Sequence, residues 1–465
     1  MIAFILNNKE ITTSEKTGVT LLDFIRENQQ LKGTKIGCRE GDCGACTILV
    51  GTLNKDRIIY ESITSCISPL GNAHGKHIVT IEGVNLEENL NTVQKSLADN
   101  YATQCGFCTP GFVVSMTGYA LNDARSTCTD AISGNICRCT GYKSIEKATL
   151  DVKKILTLDK NKDIEHLIDK HFIPSYFKDI PKKLKVLNDR NIKTVNSNGS
   201  KVASGTDVYV RNADNLSTEN VHLLANIKEL KGIYINDDTV FIGANTTVTE
   251  IFHKEELNSI FPKLKSFLKL VSSEQIRNMG TIGGNFVNAS PIGDMSVFFL
   301  ALDSTLHLGV STKRQIPFSE FHLEYKKYDL QENELITGIS FKKPTNSKFN
   351  FEKVSKRTHL DIASVNTACQ IKVTEGVIQK ASISIGGVAA IPKLLIKTNQ
   401  FLLGKPLSME IIKEAAVILQ SEISPISDVR GTTEYKRLLA RQLFFAHFLE
   451  LFPSLHFEKI LSVAT

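Results

Sequence analysis

The sequence predicts an α+β protein of several domains, and three observations carry that prediction. Its 465 residues exceed what one core organises, about three domains being the ordinary division. The hydrophobic pattern changes along the chain: strand-like alternation to about residue 82, helical spacing from 86 to 158, and a mixture from 174 onward. Eight of the ten cysteines fall into two sets of four, one set in each of the first two regions.

In chain order, 2–6 and Thr12 form a hairpin about the polar Asn7-Asn8-Lys9-Glu10. Thr20 then caps a helix with Leu21, Leu22 and Ile25 on its apolar stripe. Residues 47–50 and 57–60 read as a second hairpin and 77–81 as a last strand. In the helical region Phe112, Val113, Met116, Tyr119 and Ala120 recur at helical spacing, with Pro110 near the start, where a missing N–H costs little. A similar stripe runs over 145–158. The charged stretch 159–173 reads as a linker, and 221–227, 239–242, 335–341 and 381–385 as strands among amphipathic helices.

Composition excludes some classes. A net charge of +6, without a concentrated basic run, gives no nucleic-acid signature. No apolar run approaches the roughly 18 residues of a membrane span; 295–302 is interrupted by Ser296. Met1-Ile2-Ala3-Phe4-Ile5-Leu6 turns polar at once, so no signal peptide is expected. The expected compartment is the cytoplasm, where clustered cysteines indicate metal rather than disulfides.

The first cysteine set is Cys38, Cys43, Cys46 and Cys66, with four, two and nineteen residues between successive members. C-x4-C-x2-C with a distant fourth thiolate is the plant-type spacing for a [2Fe–2S] cluster. Gly37, Gly41, Gly44 and Ala45 leave room for backbone N–H groups beside the sulfurs. Zinc usually takes its ligands as two CxxC-like knuckles, so three cysteines in one nine-residue loop favour the cluster. The second set is Cys105, Cys108, Cys137 and Cys139. Its CxxC and CxC spacing admits either tetrahedral zinc or a second cluster. Cys128 and Cys369 lie outside both patterns and read as free thiols.

The strings Gln104-Cys105-Gly106-Phe107-Cys108-Thr109-Pro110-Gly111 and Gly134-Asn135-Ile136-Cys137-Arg138-Cys139-Thr140-Gly141-Tyr142, taken with the first loop, resemble the paired iron–sulfur domains of the molybdenum hydroxylases, the xanthine dehydrogenase family. The resemblance implies a second [2Fe–2S] cluster, with Gln104 approaching a molybdopterin. No G-x-G-x-x-G follows a strand, so a Rossmann site is not indicated. Three glycine-rich patches occur instead: Ser204-Gly205-Thr206-Asp207, Gly243-Ala244-Asn245-Thr246-Thr247 and Gly280-Thr281-Ile282-Gly283-Gly284-Asn285. Such loops can present consecutive backbone N–H groups to a pyrophosphate, although ordinary turns account for any one of them alone. In this order they resemble the family's FAD domain, and Ile385-Gly386-Gly387-Val388-Ala389 and Ser427-Asp428-Val429-Arg430-Gly431-Thr432-Thr433-Glu434-Tyr435 resemble the small domain that follows it.

The fold so implied has a β-grasp [2Fe–2S] ferredoxin domain (1–84), a helical-bundle [2Fe–2S] domain (85–158) and a linker (159–173). An α+β FAD-binding domain of the vanillyl-alcohol-oxidase (PCMH) type follows (174–345), then a small α+β C-terminal domain like that of CO-dehydrogenase flavoproteins (346–465). By resemblance the FAD contacts are Val202, Ala203, Ser204, Gly205, Thr206, Asp207 and Val208, then Thr281, Gly283, Gly284 and Asn285, with Asp294, Ile336 and Lys353. Lys353, Arg357 and Asp361 would lie toward the flavin and a pyridine nucleotide. Leu270-Val271-Ser272 stands where some relatives stack an aromatic residue on the flavin. No side chain is expected to be catalytic. The chain is expected to be the iron–sulfur/FAD subunit of a xanthine-dehydrogenase-type enzyme, in a heterotetramer or larger assembly with a molybdopterin-binding large subunit. It would pass electrons from hypoxanthine or xanthine hydroxylation to NAD. The alternatives are a related hydroxylase of aldehydes, nicotinate or aromatic heterocycles, and a stand-alone flavin–iron–sulfur carrier.

Overall fold

The structure, a computed structural model, describes residues 1–122, 127–157, 163–190, 192, 199–309, 313–357 and 360–455. It divides into two compact units, Met1–Ile227 with Ser273–Gly280, and Lys228–Ser272 with Thr281–Thr465. Strands and helices are mixed in both, as the hydrophobic pattern predicts.

The first unit opens with a five-stranded sheet in the order Lys9–Thr13, Ile2–Leu6, His77–Val79, Thr47–Asn54, Arg57–Thr64. Its first and last strands in sequence, Ile2–Leu6 and His77–Val79, run parallel at the centre, which is the β-grasp arrangement. Thr20 caps the crossing helix as expected: its hydroxyl accepts from the Asp23 amide at 3.1 Å, and Leu21, Leu22, Phe24 and Ile25 turn into one core. The expected strand 77–81 ends at Val79, because the Thr80 amide bonds the Asn7 side chain at 2.9 Å and a short helix begins at Ile81.

The helical part contains Thr92–Asp99, Thr109–Leu121 and Lys143–Thr157. Every residue of Thr109–Leu121 from Gly111 to Ala120 is buried, so this apolar helix is the centre of its bundle rather than a surface stripe.

The expected linker is structured over its described part, with 159–162 outside the described residues. Helix Ile164–Asp169 is capped by Asp163, and Leu167, Phe172 and Ile173 enter the core of the helical part. The charged composition of this stretch hides three apolar residues that suffice to anchor it. The next helix, Ile180–Asp189, puts Ile180, Leu184 and Leu187 against Ala3 and Ile5, covering the second face of the sheet. The segment 163–190 is therefore packed on the iron–sulfur side of the chain.

Buried His77 closes the same seam. Its Nε2 donates to the Asn7 carbonyl at 2.8 Å, so Nδ1 accepts from the Tyr60 hydroxyl at 2.8 Å. Burial holds its pKa down to about 3, and the ring is neutral.

In the second unit a five-stranded antiparallel sheet runs Arg314–Pro317, Thr305–Leu308, Ile336–Lys342, Thr239–Gly243, Ile233–Ile235. A four-stranded sheet follows, Lys348–Val354, Val365–Thr374, Val377–Gly386 and Lys393–Leu394, packed with helices Met409–Glu422 and Thr433–Leu451. The expected strand 221–227 reduces to His222–Leu223, since its partner Lys201–Val202 offers only two residues to pair. Among the described residues no helix is long and apolar enough to cross a membrane.

Arg314 braces the first of these sheets by clamping Glu334 at 2.7 and 2.8 Å and Asp329 at 2.8 and 3.1 Å. The guanidinium holds the Glu334 carboxyl down to about 2. A depressed folded-state pKa contributes stability above the unfolded value, lost as pH falls toward 2. Glu334→Gln should therefore lower the second unit's melting temperature at pH 7, with the gap to wild type closing between pH 5 and 2.5 in a pH series of thermal melts.

Candidate functional site

The first cysteine loop folds over its own sulfurs. The Cys38 Sγ accepts from the amides of Glu40, Asp42 and Cys43 at 3.3, 3.3 and 3.4 Å, and the Cys43 Sγ from the Cys38 amide at 3.4 Å. Left-handed Arg39, Gly41 and Gly44 curl the chain into that shape. A Cβ on Gly37 would stand 2.5 Å from the Cys43 sulfur. Arg39 pins the loop by a two-pronged pair with Asp23 at 2.7 and 3.0 Å. The thiols crowd one another: hydrogen bonds from Cys43 and Cys66 push Cys38 far below the ordinary thiol range, and Cys38 pushes both of them up. Cys46 is also lowered, chiefly by Cys66. Four converging sulfurs ringed with N–H donors suit an anionic iron–sulfide group.

The second set forms two pairs. Cys105 and Cys139 are exposed, with sulfurs 3.6 Å apart. Cys108 lies against Cys137; burial first, then that neighbour, push its thiol up to about 12. Cys137 sits low despite its burial, because the Thr140 hydroxyl and amide approach its sulfur at 3.2 and 3.4 Å. The Cys137 amide in turn donates to the Tyr142 hydroxyl at 3.0 Å. Two thiolate pairs give two ligands per iron of a binuclear cluster. Among the described residues no group of three or more His, Cys, Asp or Glu is placed to hold a single metal ion.

The two loops touch through backbone. The Ile136 amide, one residue before Cys137, donates to the Cys43 carbonyl at 2.9 Å. The Asn135 Nδ2 donates to the Gly44 carbonyl at 3.0 Å. Sequence reasoning missed Asn135 and its buried partner Gln275, which bonds it from 140 positions away. Nothing local in either residue announces the other.

The glycine-rich loops differ from one another. In 204–207, within the first unit, the amides of Ser204, Gly205 and Thr206 make no backbone hydrogen bond among the described residues. Gly205 is left-handed (φ +93°), and a Cβ there would lie 2.4 Å from the Ile67 carbonyl oxygen. Successive uncommitted amides are what a diphosphate needs, and Val202, Ala203, Asp207 and Val208 flank them. The amides of 282–284, in the second unit, are already used: Ile282 bonds the Thr246 carbonyl at 3.1 Å, Gly283 the Ala244 carbonyl at 2.9 Å, and Gly284 the Thr281 hydroxyl at 3.2 Å. The tight turn thus engages the N–H groups of Gly283 and Gly284 within the second unit. Their missing side chains remain informative. A Cβ on Gly283 would meet Ala244 at 2.9 Å, and one on Gly284 the Thr281 hydroxyl at 2.9 Å. The Asn285 side-chain oxygen accepts from the Ser296 amide at 3.3 Å, tying this turn to helix Asp294–Ala301.

Asp294 and Lys353 come together in the second unit. The buried Lys353 ammonium bonds the Asp294 carboxylate and the Leu270 carbonyl, each at 2.7 Å, while the Asn366 amide reaches the other Asp294 oxygen at 2.6 Å. The Ile336 side chain is buried in the core of that unit, and its strand pairs it with Leu308. Arg357 and Asp361 pair with each other at 2.5 and 2.8 Å. Cys128 and Cys369 are both buried thiols, raised to about 12 and still higher respectively by burial.

Comparison with known proteins covers most of the chain. Residues 4–70 match the family described as 2Fe-2S iron-sulfur cluster binding domain, and 80–150 the [2Fe-2S] binding domain. Residues 159–344 match the FAD binding domain in molybdopterin dehydrogenase, and 351–451 the CO dehydrogenase flavoprotein C-terminal domain. Xanthine dehydrogenase 1 of Arabidopsis thaliana is 27% identical over 520 residues, covering 93% of this chain and 38% of that protein. Xanthine dehydrogenase of Oryza sativa subsp. japonica is 28% identical over 528 residues, with the same two coverages of 93% and 38%. This chain thus spans less than two-fifths of the length of those relatives. Among solved structures, reconstituted CO dehydrogenase from Oligotropha carboxidovorans aligns with a TM-score of 0.51 at 26% identity, over 54% of this chain and 89% of that one.

Proposed function

Since the chain carries the domain set of the iron–sulfur/FAD part of a molybdenum hydroxylase, we propose that it takes electrons from a molybdopterin-containing partner and delivers them to NAD. When bound, the two [2Fe–2S] clusters supply one-electron steps, and FAD converts them to the electron pairs that nicotinamide requires. The observation that carries the direction is the unequal exposure of the thiols. Cys105 and Cys139 reach solvent, whereas Cys46 and Cys66 are buried. Electrons from another molecule are best received at the exposed pair, where Gln104 also lies in the chain. The bond between Ile136 and Cys43 then joins the second loop to the first, and the uncommitted amides at 204–206 are the anchor proposed for the FAD diphosphate.

The proposed source is hydroxylation of a purine, hypoxanthine or xanthine, in keeping with the names of the relatives. Each turnover takes a purine C–H and a water to C–OH, releasing two protons and two electrons. The electrons pass singly through this chain and leave as a hydride on NAD. Cytoplasmic residence suits eight thiols kept reduced for metal. An anaerobic titration tests the division of labour. NADH should bleach the flavin of the purified chain by reverse transfer, while xanthine, without the partner, should bleach nothing. Bleaching by xanthine in a molybdenum-free sample would refute the proposal of a separate hydroxylation site, and silence toward NADH would refute the nicotinamide acceptor.

A further inference from the structure

The eight residues Ser273–Gly280 belong to the iron–sulfur unit although both flanking stretches belong to the other. They are wedged beside the cysteine loops. The Ile276 methyl would be 3.1 Å from a Cβ on Gly41, Asn278 donates to the Ser62 carbonyl at 2.8 Å, and the Met279 sulfur accepts from the Thr64 hydroxyl at 3.5 Å. At the centre is Gln275, with no exposed surface. Its Nε2 faces three acceptors: the Ala131 carbonyl at 3.0 Å, the Ser115 hydroxyl at 3.1 Å and the Asn135 side-chain oxygen at 3.1 Å.

The amide orientations follow from the acceptors. The Gly44 carbonyl can only accept, so Asn135 must turn its Nδ2 toward it, which leaves the Asn135 oxygen to accept from Ser115 at 2.7 Å and from Gln275. Gln275 must then point its own Nε2 inward, and its Oε1 is left buried without a partner. An unpaired buried carbonyl is costly. The first loop approaches so closely that a Cβ on Gly44 would lie 2.3 Å from the Gly134 carbonyl, and one on Gly134 would lie 2.1 Å from the Gln275 oxygen. A glutamate could not replace this donor, and a leucine would release Asn135.

We infer that Gln275 is a positioning residue for the two redox centres: a clamp, supplied by sequence of the flavin-binding domain, that orients Asn135 and so fixes the separation and contact of the two cysteine loops. The inference rests on both loops holding clusters. That reading is tested first and separately, by iron and acid-labile sulfide in the wild-type chain. Gln275 touches neither set of thiols, so its effect passes through Asn135, Gly44 and the Ile136–Cys43 bond.

The test compares Gln275→Leu, Gln275→Glu and Ser115→Ala with wild type, each purified with its cofactors. Electron paramagnetic resonance of the reduced protein reads the magnetic coupling between the centres, and a redox titration reads their two potentials. Both Gln275 variants should keep their iron yet show an altered coupling. The equilibrium sharing of an electron between the centres should change at least threefold, about 30 mV at 59 mV per tenfold for one electron. Ser115→Ala, a milder cut in the same network, should shift both readouts in the same direction by less. It decides the question if the Gln275 variants fail to fold. Wild-type coupling and potentials in the variants that fold would overturn the inference, as would wild-type behaviour in Gln275→Glu alone, which lacks the donor.

Discussion

Gly44→Ala is expected to lower the stability of the iron–sulfur unit by about 2–4 kcal/mol, the combined order of an overpacked contact and a lost buried hydrogen bond. The new methyl would fall 2.3 Å from the Gly134 carbonyl and 2.6 Å from the Asn135 Nδ2, so the second cysteine loop must back away and release the Gly44 carbonyl. Gly106 supplies the matched control. It too is left-handed (φ +79° against +68°), but nothing lies within 4 Å of its missing Cβ. Gly106→Ala should cost only the backbone strain, about 1 kcal/mol. Denaturant titration of both variants, followed by visible absorbance and by far-ultraviolet circular dichroism, separates the terms. Equal losses would show that the two loops are not in contact at Gly44.

Cys43→Ser and Cys108→Ser should each remove one centre and spare the other. Iron and sulfide should fall from about four of each per chain to about two, with one of two paramagnetic signals lost. Each set has its own loop and its own hydrogen-bond donors, the amides of Glu40, Asp42 and Cys43 in the first and Thr140 in the second, so the losses should be independent. The Cys108 variant carries the sharper test, because its spacing is the one that also suits zinc. Stoichiometric zinc and no iron at that set in a native preparation would contradict the cluster assignment.

Local features of the fold were legible because they are written in neighbouring residues. The hairpin about Asn7-Asn8, the Thr20 cap, the Pro110 helix start and both cysteine loops are such features, and each forms where its residue types require. Reading by composition failed where few residues outweighed many. The stretch 159–173 is mostly polar, yet buried Leu167, Phe172 and Ile173 anchor its described part. The glycine-rich patches were legible as turns. Whether an amide is available depends on the carbonyls opposite it, and those of Ala244 and Thr246 take the N–H groups of Gly283 and Ile282.

By itself the sequence determined the grouping of eight cysteines into two sets and the mixed, multidomain class, both of which follow from patterns along the chain. Only the tertiary structure decided which thiols face solvent, that Ile136 bonds Cys43, and that Gln275 bonds Asn135, which in turn bonds the Gly44 carbonyl. It also decided that Ser273–Gly280 belongs with the iron–sulfur unit rather than with the sequence on either side of it. The physical reason is the reach of the interactions. A ligand loop or a helix cap closes within a few residues, whereas a buried amide takes whatever acceptor the packed fold brings to it, here 140 to 160 positions away in the chain.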